Sequence, residues 1–494
     1  MPSAAPRMSA DSADARLLGA VHPADWTNPE PRGRYDLVVL GGGTAGLVSA
    51  MGAAGLGARV ALVERHLLGG DCLNTRCVPS KALLRSARAA ADARRAPDVG
   101  VRVTGVGVDF TTVMGRMRER RADISPNDSA ARLRAAGVDV YFGEGRFSGV
   151  STVEVAGRAL TFRRAVIATG GRPSVPAIPG LAAVPYLTSE TLFALTEQPR
   201  RLAILGAGPI GCEMAQAFAR LGTAVTLVDQ AVQLLPQEDA DAAAIVARRL
   251  RADGVRILLG ATILDVSTGG LTVSDAGLQP CDQLLIAAGR TPNIAELNLP
   301  AAGVAFDQDG VVVDDHLRTS NRRIFAAGDV CSRFKFTHAA DALARIVIRN
   351  ALFFGRARAS ALVIPWCTYT DPEVAHVGAY EEEARKAGRR VETITIPLAD
   401  VDRAVVDEER DGFVRVHHER GRLLGCTIVA SRAGEMIGVA AHALTHGASL
   451  ADLGSTIQPY PTLNNAFRAA GDAYGRTRLT PRIRRLLRRY FRLF

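Results

Sequence analysis

Short apolar runs along the chain predict buried strands, and a pair of them occurs twice in the same order. The run Tyr35–Leu40 ends in a glycine-rich turn, and an alanine-rich, helix-forming stretch separates it from a second run that ends at Val63-Glu64. The same order recurs at 202–205 and at Val228-Asp229. Unbroken apolar runs of this length are typical of strands buried on both faces of a parallel sheet. The pattern therefore predicts two βαβ units in one α/β chain.

Each βαβ unit carries a glycine fingerprint directly after its first strand. The two turns read Gly41-Gly42-Gly43-Thr44-Ala45-Gly46 and Gly206-Ala207-Gly208-Pro209-Ile210-Gly211. In both units an acidic residue, Glu64 or Asp229, stands 23 residues after the first glycine. The glycines permit a tight turn and bring a helix N-terminus close to a pyrophosphate, while the acid can bind a ribose hydroxyl. Two matched copies predict two dinucleotide sites, one for a flavin and one for a nicotinamide.

The residues after the second acid predict which nicotinamide cofactor binds. Asp229 would accept the 2′-hydroxyl of NAD and repel the 2′-phosphate of NADP. Residues 230–233 read Gln-Ala-Val-Gln and offer no arginine that would reverse this preference. We therefore expect NADH to be preferred over NADPH.

Two cysteines follow the first βαβ unit, and their spacing suits redox chemistry. Cys72 and Cys77 are five residues apart, and Lys81 follows. On a regular helix this step separates the two residues by about 7.5 Å along the axis, so the first turn has to distort for the sulfurs to bond. A helix start suits a redox disulfide because the helix N-terminus stabilises a thiolate. The alternative is a pair of buried structural cysteines, and the adjacent nucleotide fingerprint favours the redox pair.

Lysine is almost absent from the chain, which uses arginine as its main basic residue. It occurs at Lys81, Lys335 and Lys386, whereas lysine and arginine together number 60. An ammonium is a compact donor whose pKa can move, and a guanidinium is neither compact nor titratable. The lysine beside the cysteine pair indicates that an ammonium is required at this place. The alternative is that three lysines occur where they do by chance.

Length and composition bound the class of protein. A chain of 494 residues exceeds one ordinary core, and its longest apolar runs fall short of the roughly 18 to 20 residues that a membrane span needs. Residues 1–33, rich in Ala, Ser and Pro without an apolar signal core, are expected to form a disordered leader. Seven cysteines, an odd number, argue against a secreted disulfide framework. The expected location is the cytoplasm.

The net charge of +10 is concentrated in the C-terminal tail, where arginines alternate with apolar residues. The apolar positions that share one helical stripe are Ile483, Leu486, Leu487, Tyr490 and Phe494. Such a basic amphipathic helix can lie on a membrane surface, which would give peripheral contact with the inner membrane. The alternative is a terminal helix packed on its own protein. No motif that reads nucleic acid accompanies the charge, so nucleic acid is not an expected partner.

The segment from Gly69-Gly70-Asp71-Cys72 to Lys81 resembles the redox motif of the class I pyridine nucleotide-disulfide oxidoreductases. That family includes lipoamide dehydrogenase, glutathione reductase and mercuric reductase. The resemblance runs from about Tyr35 to about Arg478 and includes Ala287-Ala288-Gly289-Arg290 and Ala327-Gly328-Asp329. It implies an α/β protein with two Rossmann-like dinucleotide-binding domains, for FAD and NAD, and a C-terminal α+β dimerisation domain. It also implies a homodimer.

The resemblance implies boundaries for these domains. They are an FAD-binding part at 34–185, an NAD(P)-binding domain at 186–300, a return to the FAD-binding domain at 301–360, a dimerisation domain at 361–477 and the basic tail at 478–494. The implied cofactor-binding residues, fingerprints included, are Gly41, Gly43, Gly46, Glu64, Lys81, Gly145, Ala168, Thr169, Gly170, Gly206, Gly208, Gly211, Asp229, Gly289, Asp329 and Thr337. Among them, Asp329 would bind the ribityl chain, and the helix near Thr337 would face the flavin ring.

The family's catalytic scheme assigns roles to named residues of this chain. NADH would reduce the flavin, and the flavin would open the Cys72–Cys77 disulfide. Cys77 would lie nearest the flavin as its charge-transfer thiolate, and Cys72 would face the substrate. Lys81 would pair with Glu213. Tyr460 would be the residue that reaches the partner's Cys72.

The chain departs from the family pattern at its C-terminal motif. Lipoamide dehydrogenase and glutathione reductase carry His-Pro-Thr there, with a glutamate five residues after the histidine. Here Tyr460 and Asn465 occupy those two places. An unperturbed phenol titrates about three pH units above an imidazole, so Tyr460 is a poor base for a dithiol.

Mercuric reductases also have tyrosine at this place, and segments 334–341 and 365–373 resemble that branch. We expect neither their N-terminal CxxC domain nor their terminal vicinal cysteines, since residues 1–33 contain no cysteine and the printed tail reads Arg, Leu and Phe.

The sequence thus predicts an FAD-dependent NAD(P)H oxidoreductase of the mercuric-reductase-like branch. Electrons would pass from NADH through FAD and Cys72–Cys77 to a small-molecule acceptor, either a soft metal ion or a small disulfide. The alternatives are dihydrolipoyl dehydrogenase and a membrane-surface NADH:quinone flavoprotein. No structural metal site is expected, since His442 and His446 lack a third ligand. We also expect an exposed strand end at His417-His418 and structural roles for Cys212, Cys281, Cys331, Cys367 and Cys426.

Overall fold

The structure is a computed structural model that describes residues 8–9 and 11–493. The chain divides into two compact units. The first unit contains the described residues up to 235 together with 250–362, and the second contains 236–249 together with the described residues from 363 onward. The domain boundaries predicted within these units stay predictions.

The elements that precede residue 363 combine α-helices with runs of consecutive short strands. In chain order the helices are α1 (Ser12–Val21), α2 (Thr44–Gly55), α3 (Gly70–Asn74), α4 (Cys77–Arg95), α5 (Phe110–Ile124), α6 (Ala130–Ala135), α7 (Pro209–Leu221), α8 (Ala240–Ala252) and α9 (Thr337–Leu352). The first nine strands are β1 (Tyr35–Leu40), β2 (Val60–Glu64), β3 (Val138–Phe142), β4 (Arg146–Gly149), β5 (Thr152–Val155), β6 (Arg158–Ile167), β7 (Gly171–Pro173), β8 (Arg201–Leu205) and β9 (Ala224–Val228). The next nine are β10 (Arg256–Leu258), β11 (Ile263–Ser267), β12 (Gly270–Val273), β13 (Gly277–Pro280), β14 (Gln283–Ile286), β15 (Arg290–Pro292), β16 (Phe306–Asp307), β17 (Gly310–Val311) and β18 (Ile324–Ala326).

The larger sheet of the first unit has the order β3-β2-β1-β6-β5-β4, with β18 beside β6. Strands β1, β2, β3, β6 and β18 run parallel, while β4 and β5 pair antiparallel. Residues of β1 alternate between two buried clusters, with Leu37 and Val39 in one and Val38 and Leu40 in the other. Burial on both faces explains the unbroken apolar run in the sequence. The predicted first βαβ unit is therefore present.

The second nucleotide fingerprint belongs to a smaller parallel sheet of order β10-β9-β8-β14. Strand β8 leads through the glycine turn into α7, as the sequence pattern predicts. A three-stranded antiparallel sheet of β11, β12 and β13 packs beside it through a shared apolar cluster. In open parallel sheets, ligands bind at the carboxyl ends of the strands, which is where both fingerprints lie.

The prediction of a disordered leader is wrong over most of the residues that the structure describes there. Residues Ser12–Val21 form α1, and Ala13, Leu17 and Val21 are buried in the main cluster of the first unit. Farther along, the Trp26 indole donates to the carbonyl of Val140 at 3.2 Å. An amphipathic face in a segment that is otherwise polar explains the miss, because burial depends on position more than on composition. Residues 1–7 and 10 of the predicted leader lie outside the described residues.

The second unit is built on one antiparallel sheet of order β19-β20-β23-β22-β21. Its strands are β19 (Trp366–Thr368), β20 (Glu373–Gly378), β21 (Glu392–Pro397), β22 (Phe413–Glu419) and β23 (Arg422–Ala430). Its helices are α10 (Glu381–Lys386), α11 (Asp402–Val406), α12 (Ala433–His446), α13 (Leu450–Ser455), α14 (Asn465–Thr477) and α15 (Pro481–Tyr490). This is the predicted α+β arrangement. The expected exposure of His417-His418 is wrong, because both side chains lie buried within β22.

The C-terminal helix α15 exposes every one of its residues to solvent. The Thr480 side chain accepts a hydrogen bond from the amide of Ile483 and begins the helix. The predicted amphipathic helix is thus confirmed over Pro481–Tyr490, while Phe494 lies outside the described residues. Among the described helices, none combines the length and apolar character needed to cross a bilayer.

Candidate active site

The two candidate redox cysteines lie on either side of a break between helices. Cys72 belongs to α3, which ends at Asn74, and Cys77 is the first residue of α4. Thr75 and Arg76 leave helical geometry between them. The sequence predicted a distorted first turn of one helix. A full interruption meets the same requirement, because it frees the two side chains to approach each other.

Hydrogen bonding divides the reduced cysteine pair into a thiolate and a thiol. The hydrogen bond from the Cys72 thiol lowers the pKa of Cys77, and Thr337 and the charges of Lys81 and Arg76 lower it further. The Thr337 hydroxyl lies 3.3 Å from the Cys77 sulfur. That same hydrogen bond between the cysteines, together with burial, raises the pKa of Cys72. The site therefore favours a Cys77 thiolate beside a Cys72 thiol without a histidine.

Lys81 and Glu213 form the predicted ion pair. The Lys81 Nζ lies 2.9 Å from Glu213 Oε2, and the Glu213 side chain is buried in α7. One cation is thereby held a turn after Cys77, where its charge favours the thiolate. A buried carboxylate needs such a partner. The pair is confirmed, and its catalytic role stays a prediction.

A continuous cavity joins the first glycine fingerprint to the cysteine pair. Its lining includes the predicted FAD residues Gly41, Gly43, Glu64, Gly145, Ala168, Thr169, Gly170, Asp329 and Thr337, together with Cys72 and Cys77. Helix α2 begins at this cavity after Gly43, which offers no side-chain cap, so its first amides are available to a pyrophosphate. The donor set of a helix N-terminus, an acid and a thiol pair fits FAD.

Glu64 organises the fingerprint turn from the end of β2. Its carboxylate accepts hydrogen bonds from the amides of Gly42 at 2.6 Å and His66 at 2.7 Å. Burial raises its pKa. A carboxylate has about four acceptor sites, so two remain for ribose hydroxyls.

Two of the predicted glycines stand where close packing leaves little room for a side chain. A Cβ on Gly46 would stand 1.8 Å from the carbonyl oxygen of Gly41, so α2 can approach the turn only without a side chain. A Cβ on Gly145 would lie 2.7 Å from a methyl group of Leu40 and 2.8 Å from one of Val63. Gly145 itself lines the cavity, near the carboxyl ends of β1 and β2.

Asp329 is surrounded by basic residues that the sequence reasoning did not assign to the site. Its carboxylate lies 3.4 Å from Arg76 Nη1 and 3.3 Å from Arg290 Nε, and its carbonyl accepts from Lys335 Nζ at 2.6 Å. Arg290 also pairs with Asp71. The available signals were the position of Arg76 between the cysteines and the rarity of lysine. Arg76 and Lys335 line the same cavity as the cysteine pair.

The segment 168–170 follows β6 and is held by hydrogen bonds to a loop from later in the chain. The Thr169 hydroxyl donates to the carbonyl of Asn293 at 2.7 Å, and the Asn293 amide returns a bond to the Thr169 carbonyl at 3.0 Å. Gly170 follows with a φ of 65°, in the left-handed region that favours glycine. With these hydrogen bonds in place, Ala168 and Thr169 line the cavity.

The second fingerprint repeats the geometry of the first at the ends of β8 and β9. Asp229 accepts hydrogen bonds from the amides of Ala207 at 2.5 Å and Ala231 at 2.8 Å. A Cβ on Gly211 would stand 1.8 Å from the carbonyl oxygen of Gly206. Gly208 precedes α7 without a side-chain cap, and a Cβ there would meet open space. These features fit a second pyrophosphate site.

Gly289 lies beyond β14, the neighbour of β8 in the same sheet. Its φ of 111° is in the region that favours glycine. Its carbonyl accepts from the amide of Ser174 at 3.0 Å. The turn around Gly289 thus lies at the same end of the sheet as the fingerprint.

Tyr460 belongs to the second unit, where 74% of its surface is exposed. Its hydroxyl donates to Asp402 Oδ2 at 2.9 Å, and this hydrogen bond raises the pKa of the phenol. Asn465 accepts from the amide of Thr462 at 3.0 Å and begins α14. Neither residue supplies a proton acceptor near neutral pH.

Other sequence candidates do not join the cavity. The Cys331 sulfur donates to the carbonyl of Gly328, and burial raises the pKa of this thiol to about 12. Burial also raises the pKa values of Cys212 and Cys426. The rings of His442 and His446 lie 4.4 Å apart. Within the described residues, no group of three or more His, Cys, Asp or Glu side chains is arranged to hold a metal ion.

Comparison with known proteins agrees with this architecture. Residues 35–344 match the model of the pyridine nucleotide-disulphide oxidoreductase family, and residues 364–470 match the dimerisation domain of that family. The chain is 35% identical over 453 residues to a mercuric reductase of Bacillus cereus, covering 90% of this chain and 72% of that protein. It is 31% identical over 458 residues to a dihydrolipoyl dehydrogenase of Bacillus subtilis, covering 87% and 96%.

A solved structure shows the same fold. The Cu(II) complex of the HOCl-induced flavoprotein disulfide reductase RclA from Escherichia coli superimposes with a TM-score of 0.79 at 30% identity. The match covers 90% of this chain and 100% of that one. Together with the cysteine pair and the two fingerprints, these matches show that the chain belongs to the class I pyridine nucleotide-disulfide oxidoreductases, a family of FAD-dependent enzymes.

Proposed function

We propose that the protein is an NADH-dependent flavoenzyme that passes electrons through Cys72 and Cys77 to a soft metal ion. The observation that carries the proposal is the polarised cysteine pair, whose Cys77 pKa is lowered without a histidine. The raised pKa of Tyr460 supports it, since a dithiol substrate needs a base that this phenol does not provide. A metal ion needs no such base, because it binds a thiolate directly and displaces the proton of a thiol when it binds there.

The relatives support a metal acceptor by their descriptions. One relative is a mercuric reductase, and one structural neighbour is a Cu(II) complex. Thiolate ligands suit both soft Hg(II) and reduced copper. A small disulfide is the alternative acceptor, and its reduction would require a proton donor for the leaving thiolate.

Residues of the first unit would hold FAD and orient it toward the cysteines. The α2 N-terminus would bind the pyrophosphate, Glu64 a ribose, and Asp329 the ribityl chain. The start of α9, at Thr337, would face the ring. When bound, FAD supplies the transfer of an electron pair from the nicotinamide to the disulfide. The chain itself stores that pair as a Cys77 thiolate and a Cys72 thiol, which takes up one proton.

The second fingerprint would bind NADH. Asp229 already accepts two amide hydrogen bonds and would use its remaining acceptor sites for the 2′-hydroxyl of the ribose. A 2′-phosphate would bring like charges together at that carboxylate. Asp229 and the absence of arginine from 230–233 support NADH over NADPH.

The match to a dimerisation domain supports a homodimer. In that dimer Tyr460 of one subunit would lie near the partner's Cys72. Its phenol would then shape the acceptor pocket and serve as a hydrogen-bond donor, while its raised pKa keeps it protonated.

The experiment that tests the function is NADH oxidation by the holoenzyme with different acceptors. We expect turnover with Hg(II) in excess small thiol or with Cu(II), weak turnover with lipoamide, and slower rates when NADPH replaces NADH. Cys72→Ser and Cys77→Ser should abolish metal-dependent turnover while retaining bound flavin. Fast lipoamide turnover with inactive metals would overturn the proposal in favour of dihydrolipoyl dehydrogenase. Activity with quinone alone would favour the electron-transfer alternative.

The exposed tail favours a second function, peripheral binding to an anionic membrane. Six arginines and four apolar side chains share residues 481–490 and 492, and α15 carries no acidic residue. The apolar residues Leu486 and Tyr490 remain 67% and 53% exposed. A bilayer of anionic lipids would bury that stripe and pair with the arginines.

Co-sedimentation with vesicles tests this contact. Vesicles that contain phosphatidylglycerol should retain the full chain and lose the form that ends at Thr480, and pure phosphatidylcholine should retain neither. Equal retention of both forms by anionic vesicles would remove the membrane function. It would leave the redox proposal untouched.

A further inference from the structure

The N-terminal segment, defined as described residues 8–9 and 11–33, contacts the redox loop, defined as residues 68–77, which carries the two cysteines. Its helix α1 lies before the part of the chain that matches the family model, which begins at residue 35. The carbonyl of Val21, the last residue of α1, accepts from the amide of Leu68 at 3.2 Å. That contact lies just ahead of α3, the helix of Cys72. Segment and redox loop are therefore neighbours.

A buried ion pair makes a second, deeper connection. Asp14 of α1 and Arg121 of α5 have side chains that are 1% and 2% exposed, and their charged atoms lie 2.5 Å apart. The other oxygen of Asp14 accepts from the amide of Ser9 at 2.7 Å. A pair this deeply buried is costly to desolvate, and removing one partner would leave an uncompensated buried charge.

The other terminal nitrogen of the Arg121 guanidinium contacts the redox loop itself. Its Nη1 donates to the carbonyl of Asn74 at 2.8 Å. Asn74 is the last residue of α3, and a carbonyl at a helix end lacks an intrahelical partner. A cation at that end satisfies the carbonyl and complements the helix dipole. Arg121 thus fixes the chain between Cys72 and Cys77 at its midpoint.

We propose that the N-terminal segment is part of the redox site and that Asp14 and Arg121 are positioning residues for the Cys72–Cys77 pair. Asp14 holds the guanidinium, and the guanidinium holds the carbonyl of Asn74. Fixing this carbonyl keeps the two sulfurs within bonding reach across the helix break. The inference rests on the proposed redox role of the pair.

The expected consequence is a change in the thiol–disulfide equilibrium. A loosened loop lowers the effective concentration of one thiol at the other, so the disulfide becomes easier to reduce. Each reduction of the pair consumes one dithiothreitol, which closes to its cyclic disulfide. Of its two protons, Cys72 takes up one as a thiol, and the other is released to solvent because Cys77 is left as a thiolate. We expect the equilibrium constant for this reaction to rise about tenfold, which corresponds to about 30 mV for two electrons.

The chain offers a matched control on the same two helices. Arg118, one turn before Arg121 in α5, is also buried and pairs with Asp11 at the start of α1. Its Nη1 donates to the carbonyl of Leu195 at 3.5 Å, away from the redox loop. Replacing either pair by uncharged side chains loosens α1 against α5. Replacing Asp14 and Arg121 also releases Asn74.

The test equilibrates holoenzyme variants with graded dithiothreitol and traps the free thiols by alkylation. Asp14→Asn/Arg121→Met should shift the midpoint about tenfold toward easier reduction of the disulfide. Asp11→Asn/Arg118→Met should leave the midpoint at the wild-type value. If the first variant does not fold, Arg121→Lys keeps a cation for Asp14 but loses the hydrogen bond to the carbonyl of Asn74. It should shift the midpoint in the same direction. Wild-type midpoints in the variants, or equal shifts in both double variants, would overturn the inference. If wild-type Cys72 and Cys77 never form a disulfide, it is the proposed function that fails.

Discussion

At the scale of single residues, the chemistry depends on how the thiolate is stabilised. Cys77 receives hydrogen bonds from Cys72 and Thr337, and two cations act on it from Lys81 and Arg76. A hydrogen bond to the charged form of a group favours that form. The neighbours of Cys77 therefore set the pH range in which the reduced pair carries a negative charge.

Replacing Thr337 by valine should raise the pKa of Cys77. The hydroxyl stabilises the thiolate, so its loss means that the thiolate is protonated at a higher pH as the pH falls. The measurement is a pH titration of the long-wavelength charge-transfer absorbance after anaerobic reduction with NADH. Thr337→Ser keeps a hydroxyl and should titrate like the wild type. Cys77→Ser should lack the absorbance, and a band that survives in it would contradict the assignment of Cys77.

The double substitution Tyr460→His/Asn465→Glu should raise turnover with dihydrolipoamide. An imidazole titrates near neutrality and can accept a thiol proton, and the glutamate can stabilise the resulting cation. Tyr460→Phe removes the hydroxyl without adding a base and should leave lipoamide turnover weak. Equal lipoamide rates in all three proteins would show that this position does not set the acceptor.

At the scale of secondary-structure elements, the first fingerprint depends on how closely α2 approaches its own turn. Gly46→Ala should lower the flavin content of the purified protein severalfold, because the new Cβ would stand 1.8 Å from the Gly41 carbonyl oxygen. Gly55→Ala in the same helix meets open space. It should keep the flavin and gain about 0.5 kcal/mol in the free energy of unfolding. The ratio of flavin to protein absorbance measures the first effect, and full flavin in Gly46→Ala would contradict it.

The sequence was sufficient for elements whose pattern is local. Strand β1, its glycine turn and α2 follow one another directly, so apolar periodicity and glycine spacing located all three. Helix α1 was missed because its apolar face is spread through a polar, alanine-rich segment. Its burial depends on α5, which lies about a hundred residues later.

The site residues that lie at fixed positions relative to a motif were predictable from the sequence, and those that reach the site through tertiary contacts were not. Cys72, Glu64 and Asp229 stand at fixed distances from a motif. Arg121 touches the redox loop only through a contact between positions 47 residues apart. Lys335 reaches Asp329 through the turn that precedes α9. Contacts of this kind depend on tertiary structure, so the rarity of lysine can single out Lys335 but cannot show which residue it contacts.

At the scale of the whole molecule, the predicted FAD site draws its residues from the first unit alone. Removing FAD should therefore lower the unfolding temperature of that unit, because a ligand that binds only the native state stabilises it. Calorimetry of the holoenzyme and the flavin-free protein would show the shift. A transition that belongs to the second unit, which has its own apolar cluster, should move less. Identical traces with and without flavin would contradict this assignment of the site.

Lys81, one helical turn after Cys77, also gives the redox pair an unusual analytical property. A protease that cuts only after lysine would release four fragments, 1–81, 82–335, 336–386 and 387–494. Cys72 and Cys77 fall in the first fragment, and the other five cysteines fall in the remaining three. The oxidation state of the active pair could thus be determined from the mass of one peptide, without interference from any structural thiol.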